Sequence, residues 1–377
     1  MYRFLFCIFI FTSYSSQHSL SQDSEFKGMV SSASPEATDI GVEILEQGGN
    51  AFDVAVAVSL ALGASEPAGS GVFGQTVMLV QPAGGEPFVI QGSTLSPANI
   101  PSSVTRTQLV NGRTATTIPS NLKVLSFTHQ NYGSGNLTWQ ELLNPTVELY
   151  KNGFTVGPFR HRAFDHYGVG LKGQEEAARI FLKPDGSAYQ IGETFRQPLM
   201  AKTLAKIAKG GADEFYKGDM AREIADDMKQ NGGWLTYEDL ANFPDPMIVP
   251  AIKSTYRDHE VISLPPPFGG WVMLQILNLL EASTPDAIAE DNAQRKIALL
   301  KAMRLGHATR ANDPVPSFYD YNDNINIKLS KSEAQKMIEQ YKSGRGGETT
   351  HFSVVDSDGN AIAVTQSIDN YFGALLV

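Results

Sequence analysis

The sequence predicts a mixed fold of helices and short strands, organised as one α/β unit. Segments with helix start signals alternate with short β-like runs along the chain. No internal repeat or low-complexity linker divides them, so a single unit is favoured over separate domains. A chain of 377 residues that is 42% hydrophobic can bury a sizeable core.

Two helices are predicted near the start of this unit. Ser34 and Pro35 open the first one, because serine is a preferred N-cap and proline suits the first helical position. Asn50 caps the second, whose residues from Ala51 to Leu62 are apolar on almost every side. A helix that is apolar all round is expected to be buried.

Two β-like runs, Thr76–Gln81 and Phe88–Gln91, follow these helices and are joined through Gly84-Gly85. This pattern predicts a hairpin. Pro265–Pro267 predicts an extended, loop-like segment, because the residue before a proline avoids the helical conformation. Further helical stretches are predicted near residues 137–151, 200–209, 220–230 and 291–309.

The composition excludes several classes of function. A net charge of −10 argues against nucleic-acid binding, because phosphate contacts need clustered lysines and arginines. Cys7 is the only cysteine and lies in the N-terminal segment, so disulfides and cysteine-ligated metals are not expected in the rest. The seven histidines are scattered along the chain. We therefore expect neither a metal site nor a cofactor.

Residues 1–21 are predicted to be a signal peptide. Arg3 precedes an apolar run from Phe4 to Phe11, and small polar residues ending at Ser21 follow it. The alternative is a membrane anchor, but a bilayer span needs about 20 apolar residues and this run is shorter. We therefore expect no stable membrane span and a secreted protein, either periplasmic or extracellular.

Residues Gly69–Gly74 satisfy the G-x-G-x-x-G pattern of dinucleotide-binding proteins. That motif requires a strand before it and a helix after it, so that the helix N-terminus meets the pyrophosphate. Here the order is reversed, and no acidic residue stands about 20 residues later to hold a ribose hydroxyl. We therefore interpret these glycines as a tight turn and not as a nicotinamide site.

A second hairpin is predicted near the C-terminus. The alternating runs His351–Val355 and Ala361–Ser367 flank residues 356–360, whose sequence Asp-Ser-Asp-Gly-Asn is typical of a turn. If the turn closes symmetrically, the two runs pair along their length, with His351 opposite Thr365.

The same register places Thr349 opposite Ser367. Asp369 falls two residues further on and therefore on the same face of the strand. The local pattern alone favours an ordinary hairpin whose entry is capped by a threonine. A catalytic interpretation of Thr349 therefore depends on more than this hairpin.

The segment from Thr349 to Ala361 resembles the motif T-T-H-[FY]-S-V-V-D-x-D-G-N-A of the gamma-glutamyltranspeptidase (glutathione hydrolase) family. A glycine-rich stretch precedes it, as it does in that family. Similar motifs occur in the family's order at Ile44–Ala51, Glu66-Pro67, Asn144-Pro145, Phe215–Gly218 and Leu235–Leu240.

This resemblance implies the α+β, four-layer αββα fold of the N-terminal-nucleophile (Ntn) hydrolases. Residues 26–348 resemble the large subunit of the family, and residues 349–377 resemble the start of its small subunit. We therefore expect mainly the large-subunit portion of the fold, with the sandwich of sheets incomplete.

The resemblance also implies a proenzyme that cleaves itself between Glu348 and Thr349 into a heterodimer of large and small subunits. Thr349 is then the nucleophile, and its freed α-amine is the general base. Ser367 matches a position whose hydroxyl supports the nucleophile in the family. The implied reaction moves the gamma-glutamyl group of glutathione or a related amide, through a threonine acyl-enzyme, to water or an acceptor amine. No cofactor is implied.

Two candidate substrate-binding positions differ from the family pattern. Asp369 stands where relatives commonly carry an asparagine that contacts the glutamyl group. Ser93 stands where relatives carry an arginine that pairs with the substrate α-carboxylate, and a serine does not replace that bidentate contact. Arg106 and Arg113 are nearby candidates for the missing charge. The alternative function is an amidohydrolase or acylase of the same family with a non-glutamyl substrate.

A third interpretation concerns the end of the chain. The chain ends at Val377, soon after Thr349, and the family's oxyanion hole and remaining substrate contacts are expected beyond that point. We therefore expect either a fragment of a longer protein or a truncated, non-catalytic secreted protein. Self-cleavage before Thr349 distinguishes an enzyme from a non-catalytic chain.

Overall fold

The computed structural model describes residues 27–283, 293–315, 320–339 and 350–367. Its main element is a six-stranded antiparallel sheet, accompanied by two short two-stranded sheets. In chain order the strands are β1 (Gly28–Ser31), β2 (Gln75–Gln81), β3 (Phe88–Gly92), β4 (Phe154–Thr155), β5 (Thr194–Phe195), β6 (Met247–Pro250), β7 (Ile252–Tyr256), β8 (His259–Ser263), β9 (Thr350–Asp356) and β10 (Ala361–Ser367).

Helices account for much of the remaining described chain. Two single-turn 3-10 helices, at Thr107–Leu109 and Arg113–Ala115, lie between β3 and the third α-helix. The α-helices are α1 (Pro35–Glu46), α2 (Ala51–Ser65), α3 (Asn121–Tyr132), α4 (Trp139–Asn152), α5 (Pro158–Lys172), α6 (Glu175–Phe181), α7 (Pro198–Gly210), α8 (Asp213–Tyr216), α9 (Asp219–Gln230), α10 (Tyr237–Ala241), α11 (Gly270–Ala282), α12 (Ala293–Asn312), α13 (Asn322–Lys328) and α14 (Lys331–Glu339).

The central sheet has the strand order β1-β9-β10-β2-β3-β6. Its β9–β10 hairpin confirms the predicted register, because Val355 pairs with Ala361 and His351 pairs with Thr365. The predicted hairpin of β2 and β3 is confirmed as well. β10 pairs with β2 and β9 pairs with β1, so the C-terminal hairpin lies between strands from the start of the chain.

The two N-terminal helices begin at the predicted caps. The Ser34 hydroxyl accepts a hydrogen bond from the N–H of Ala37, with proline in the first turn of α1. Asn50 accepts from the N–H of Asp53, and the Asp53 carboxylate accepts from the N–H of Asn50, which completes a capping box. Every residue of α2 is buried, as its apolar composition predicts.

A layer of helices covers one face of the central sheet. α2 packs against α1, α3 and α4, and it also contacts β9 and β10. α2 ends at Ser65 and β2 begins at Gln75, so Gly69–Gly74 follows a helix and leads into a strand. This order is the reverse of the dinucleotide motif and agrees with the turn that the sequence predicts.

The helices predicted near residues 137–151, 200–209, 220–230 and 291–309 are confirmed as α4, α7, α9 and α12. The sequence did not predict α11, which begins at Gly270 directly after the proline-rich loop. Its cap, Gly269, offers no side-chain hydrogen bond, and an apolar run alone does not separate a buried helix from a buried strand. α11 packs with α12 and α14 in a separate apolar cluster around Leu279 and Leu305.

In the described ranges, no helix combines the length and apolar character that a membrane crossing requires. The predicted signal peptide, residues 1–21, lies outside those ranges, as do the residues on either side of the predicted cleavage point. The assignment of residues 26–348 and 349–377 to two subunits therefore stays a prediction.

Candidate active site

Two of the candidate residues, Ser367 and Ser93, lie at one end of the central sheet. Ser367 is the last residue of β10, and Ser93 follows the last residue of β3. Glu348, Thr349 and Asp369 lie outside the described residues, so their roles stay predictions. Across the described ranges, no group of three or more His, Cys, Asp or Glu side chains is placed to hold a metal ion.

The strand register fixes how these positions relate to one another. Ser367 pairs with Gln75 on β2. On the other side of β2, Thr76 pairs with Gly92, so Ser93 continues the row that contains Gln75. Neighbouring strands are about 4.8 Å apart, which puts the Ser93 backbone roughly 10 Å from that of Ser367.

The two faces of the sheet carry different groups, because successive strand residues point to opposite sides. Gln366 and Thr76 point to the helices, where each is 1% exposed and bonds to a residue of α2 or α3. Thr365 and His351 point to the opposite face, where they contact each other. The sheet therefore separates a helix-covered face from a second face that carries polar groups of β9 and β10.

Gln366 anchors the end of β10 to the helix layer and to the glycine turn (Gly69–Gly74). Its side-chain N–H groups donate to the Ser59 carbonyl oxygen at 3.1 Å and to the Ser70 hydroxyl. Its side-chain oxygen accepts from the Ser59 hydroxyl. These three side chains are at most 1% exposed, so water does not replace any of these bonds if it is lost.

Asn121, at the start of α3, extends this network to the glycine turn. Its side-chain N–H groups donate to the carbonyl oxygens of Gly71 at 3.3 Å and of Val72 at 3.1 Å. Its side-chain oxygen accepts from the hydroxyls of Thr76 at 2.5 Å and of Ser59 at 3.3 Å. The network therefore joins α2, α3, the glycine turn and the end of β10 into one rigid unit.

His351 lies on the second face of the sheet. Its Nδ1 atom is 3.0 Å from Oγ1 of Thr365, and its Nε2 atom is 3.3 Å from Oγ of Ser353. Partial burial lowers the pKa of His351 below its usual 6.5, so the neutral ring is favoured at neutral pH. This imidazole therefore links two hydroxyls across the hairpin without adding a positive charge.

Ser93 presents an unpaired hydroxyl. Its Oγ atom is buried and has no hydrogen-bond partner among the described residues. The backbone before it is held closely, because the Gly92 carbonyl accepts from the Ser120 hydroxyl at 2.6 Å. A buried hydroxyl without a partner costs about 1–3 kcal/mol, so a ligand that bonds to Ser93 gains from satisfying it.

The two arginines considered as substitutes for the missing charge differ. Arg113 forms a bidentate ion pair with Asp227, with N···O distances of 2.7 and 3.0 Å. The hydrogen bonds that Arg113 donates to Asp227 raise the pKa of Arg113 and lower the pKa of Asp227. The charge of Arg113 is therefore already paired with a carboxylate, so Arg113 does not supply a free charge for a substrate carboxylate. Arg106 is exposed at the start of a 3-10 helix.

The sequence did not predict a buried charge cluster that lies beside the glycine turn. Arg160 donates to both carboxylate oxygens of Glu36, at 3.0 and 2.6 Å, and lies 3.5 Å from Glu66. Burial raises the pKa of Glu66 to about 7, although the charge and hydrogen bond of Arg160 act to lower it. The Glu66 carbonyl oxygen accepts from the N–H of Ser70 at 2.9 Å, so this cluster borders the turn that Gln366 holds.

Solved structures with the same fold place the protein in a structural class. The protein is similar to a cephalosporin acylase from Bacillus halodurans, with a TM-score of 0.81 and 25% identity, over 98% of this chain and 71% of that chain. It is also similar to the Helicobacter pylori gamma-glutamyltranspeptidase, with a TM-score of 0.76 and 26% identity, over 86% and 95% of the two chains. These neighbours confirm the predicted α+β fold of the Ntn hydrolases.

Sequence comparison identifies the family. A family model described as Gamma-glutamyltranspeptidase matches residues 37–377. The chain is 31% identical over 373 residues to the glutathione hydrolase proenzyme of Escherichia coli (strain K12), and 30% identical over 374 residues to the acylase ACY 1 proenzyme of Pseudomonas sp. (strain SE83). These matches cover 93% and 92% of this chain, and 64% and 66% of the respective relatives. The chain therefore belongs to the gamma-glutamyltranspeptidase family.

Proposed function

We propose that this chain is a gamma-glutamyltranspeptidase-like proenzyme that cleaves itself between Glu348 and Thr349 and then uses Thr349 as its nucleophile. The observation that carries the proposal is the β9–β10 register, whose continuation by one pair brings position 349 opposite Ser367. Residues directly opposite on paired strands have Cβ atoms about 4.5–5.5 Å apart, which suits contact between two hydroxyls. Membership of the family supports the same assignment.

The self-cleavage is an N-to-O acyl shift followed by hydrolysis. The Thr349 hydroxyl attacks the Glu348 carbonyl carbon, the C–N bond breaks, and the nitrogen becomes the α-amine of Thr349. Water then hydrolyses the ester, which leaves a carboxylate on Glu348 and restores the hydroxyl of Thr349. The products are a large and a small subunit, which the hydrogen bonds of β9 to β1 and of β10 to β2 hold together.

The freed threonine supplies both the nucleophile and the base. An α-amine has an ordinary pKa of about 7.7–8.0, so it accepts the hydroxyl proton near neutral pH. The hydroxyl attacks the substrate carbonyl, an ester forms on Thr349, and the leaving amine takes the proton. Water or an acceptor amine then removes the acyl group from the enzyme. Ser367 supports the nucleophile through its hydroxyl.

The first substrate class is a gamma-glutamyl amide such as glutathione. Asp369 supplies a carboxylate for the substrate ammonium in this assignment. Ser93 fits the assignment less well. It follows β3, whereas position 349 precedes β9, and these two strands are three strand spacings apart, which is about 14 Å. A serine is too short to bridge that gap and has no charge for the α-carboxylate.

A second candidate is an acylase or amidohydrolase whose acyl group has no α-carboxylate. The unpaired, uncharged hydroxyl of Ser93 is the observation that favours it. The similarity to a cephalosporin acylase and to the acylase ACY 1 proenzyme is in keeping with this alternative. Both candidates share the same nucleophile and differ only in how the acyl group is recognised.

Self-cleavage is tested on the purified protein, expressed with whatever its gene encodes beyond Val377. Mass spectrometry should find two chains whose junction lies between Glu348 and Thr349, and Thr349→Ala should remain intact. Thr350→Ala is the matched control, because it alters the adjacent hydroxyl and should still cleave. Cleavage of Thr349→Ala at the same bond, or an intact wild-type protein, would refute the proposal.

Substrate class is tested with three p-nitroanilides on the cleaved protein. The gamma-glutamyl compound carries both α-groups, the glutaryl compound lacks the ammonium, and the butyryl compound lacks the ammonium and the carboxylate. Faster release from the gamma-glutamyl compound supports the first candidate. Equal or faster release of p-nitroaniline from the butyryl compound rules out specificity for the gamma-glutamyl group and favours the acylase.

We also propose that residues 1–21 export the protein and that the mature chain begins after Ser21. N-terminal sequencing of the protein from the extracellular or periplasmic fraction measures this directly. A protein that retains Met1 and stays inside the cell contradicts the proposal.

A further inference from the structure

We propose that a recess between α11, α12, α13 and α14 binds an organic cation, a primary ammonium or guanidinium group carried on a short apolar body. The recess has a volume of about 390 Å³, and its described lining comes from these helices and from Asp313, the residue after α12. This proposal does not depend on the acyl-transfer function proposed above.

Two buried side-chain oxygens point to a ligand that donates hydrogen bonds. Gln275 Oε1 and Asn324 Oδ1 belong to residues that line the recess, and neither atom has a hydrogen-bond partner among the described residues. Gln275 is 0% exposed, and its side-chain N–H donates to the Lys328 carbonyl oxygen at 3.2 Å. That bond identifies which side-chain atom is the oxygen, because the reverse assignment sets two acceptors against each other.

The two oxygens belong to residues that meet at the same helix, α13. Asn324 and Lys328 are four residues apart on α13, so their side chains share a face of the helix. Gln275 bonds to the backbone of Lys328, and one helical turn of about 5.4 Å separates that point from Asn324. An ammonium or guanidinium group carries several donors and can bond to two acceptors at such a separation.

The unpaired acceptors of the recess, and not its charged side chains, favour a cationic donor. Asp313, Glu333 and Lys328 are its charged lining residues, which gives two carboxylates against one ammonium. Lys328 is already committed, because its Nζ atom donates to the Asp313 carbonyl oxygen at 2.9 Å and to the Asp313 carboxylate. Lys336, outside the lining, lies 3.7 Å from Glu333, so both lining carboxylates have an ion-pair partner and the unpaired acceptors are the two amide oxygens. Acceptors of this kind attract a positive donor and repel a carboxylate.

Apolar side chains provide a surface for the body of the ligand. Leu305, Ile327 and Met337 line the same recess. Leu305 is buried, whereas Ile327 is 63% exposed. An alkyl chain that lies on these side chains leaves water, so affinity should rise with its length.

Isothermal calorimetry on the intact chain of 377 residues tests the proposal with n-hexylammonium chloride as the probe. Sodium hexanoate and hexanol have the same carbon chain without the cation, and methylammonium has the cation without the chain. We expect the hexylammonium ion to bind about ten-fold more tightly than each of these three compounds.

Substitutions of α13 connect that binding to the recess. Asn324→Ala should weaken it by about five-fold, and Asn324→Asp should strengthen it, because a carboxylate is a better acceptor for a cation. Asn322→Ala removes an exposed amide of the same helix and should leave the affinity unchanged. Circular dichroism of each variant checks that the helices remain folded.

Several results would overturn the proposal. These are equal binding of hexanol or hexanoate, no binding of hexylammonium at millimolar concentration, and equal affinities of the wild-type protein and the Asn324→Ala variant. Displacement of hexylammonium by potassium or calcium chloride at matched ionic strength means that the amide oxygens hold a metal ion, which also refutes an organic-cation site.

Discussion

The Gln366→Leu substitution measures how firmly the buried polar network holds the end of β10. Leucine is similar in size to glutamine but removes every hydrogen bond that the side chain makes with Ser59 and Ser70. The Ser59 hydroxyl keeps one acceptor, the Asn121 side-chain oxygen at 3.3 Å. The Ser70 hydroxyl loses its donor in a fully buried place, and the Ser59 carbonyl oxygen keeps only the hydrogen bond of its own helix, α2.

The expected loss of stability follows from these two groups. Leaving the buried Ser70 hydroxyl unpaired costs about 1–3 kcal/mol, and the hydrogen bond lost at the Ser59 carbonyl oxygen costs about 0.5–1.5 kcal/mol. The added apolar surface of leucine offsets part of this. We therefore expect the free energy of unfolding to fall by about 2–3 kcal/mol, a large share of the 5–15 kcal/mol typical of a folded domain.

Urea unfolding followed by circular dichroism measures this difference. The midpoint should fall while the slope with urea stays the same, because the surface exposed on unfolding is unchanged. Gln335→Leu, at an exposed position of α14, is the matched control and should change stability by less than about 0.5 kcal/mol. A Gln366→Leu protein as stable as this control would refute the reasoning, because the network would then add nothing to the position of β10.

Three further predictions concern packing and charge. Gly63→Ala should lower the melting temperature because its Cβ would lie 2.9 Å from the Val72 backbone nitrogen, whereas Gly168→Ala, with nothing within 4 Å, should stabilise α5 by about 1 kcal/mol. Burial raises the pKa of Glu66 from 4.5 to about 7, so folding favours its protonated form. As the pH rises from 4.5 to about 7, the free energy of unfolding of the wild type should therefore fall by up to about 3 kcal/mol relative to that of Glu66→Gln in urea unfolding, and a constant difference contradicts this. The pKa of His351 should lie below 6.5 in an NMR titration, because partial burial disfavours the cation, and a midpoint above 6.5 contradicts that burial.

The parts of the fold that the sequence predicts are those specified by neighbouring residues. The caps at Ser34 and Asn50 act within one helical turn, so local sequence is sufficient to place them. The register of β9 and β10 depends on one turn and on alternating side chains, which explains why His351 was correctly paired with Thr365. Ser367 entered the candidate site by the same local reasoning.

The groups that the sequence did not predict depend on distant partners. Gln366 lies in a buried row of β10, and its bonds reach Ser59 and Ser70, which are 307 and 296 residues away along the chain. Arg160 meets Glu36 across 124 residues. A polar residue in an alternating strand gives no sign of whether it faces solvent or a buried partner, so only the folded structure identifies these groups.

The strand order explains how cleavage at the proposed bond can release a nucleophile without loosening it. β9 is bonded to β1 on one side and to β10 on the other, and β10 is in turn bonded to β2. The ladder to β10 runs from Thr350 to Val355, and the ladder to β1 covers only Ser353 to Asp356. The proposed break before Thr349 would remove one covalent link and would leave both ladders in place. The proposed α-amine would then have freedom to approach its own hydroxyl, while the start of β9 stays bonded to β10. Because Gln366 ties β10 to α2, the backbone of β10 up to Ser367, the residue proposed as support, is anchored to the helix layer. At the start of β9 this preorganisation depends on the ladder to β10, which β2 supports from its other side, because the ladder to β1 begins only at Ser353.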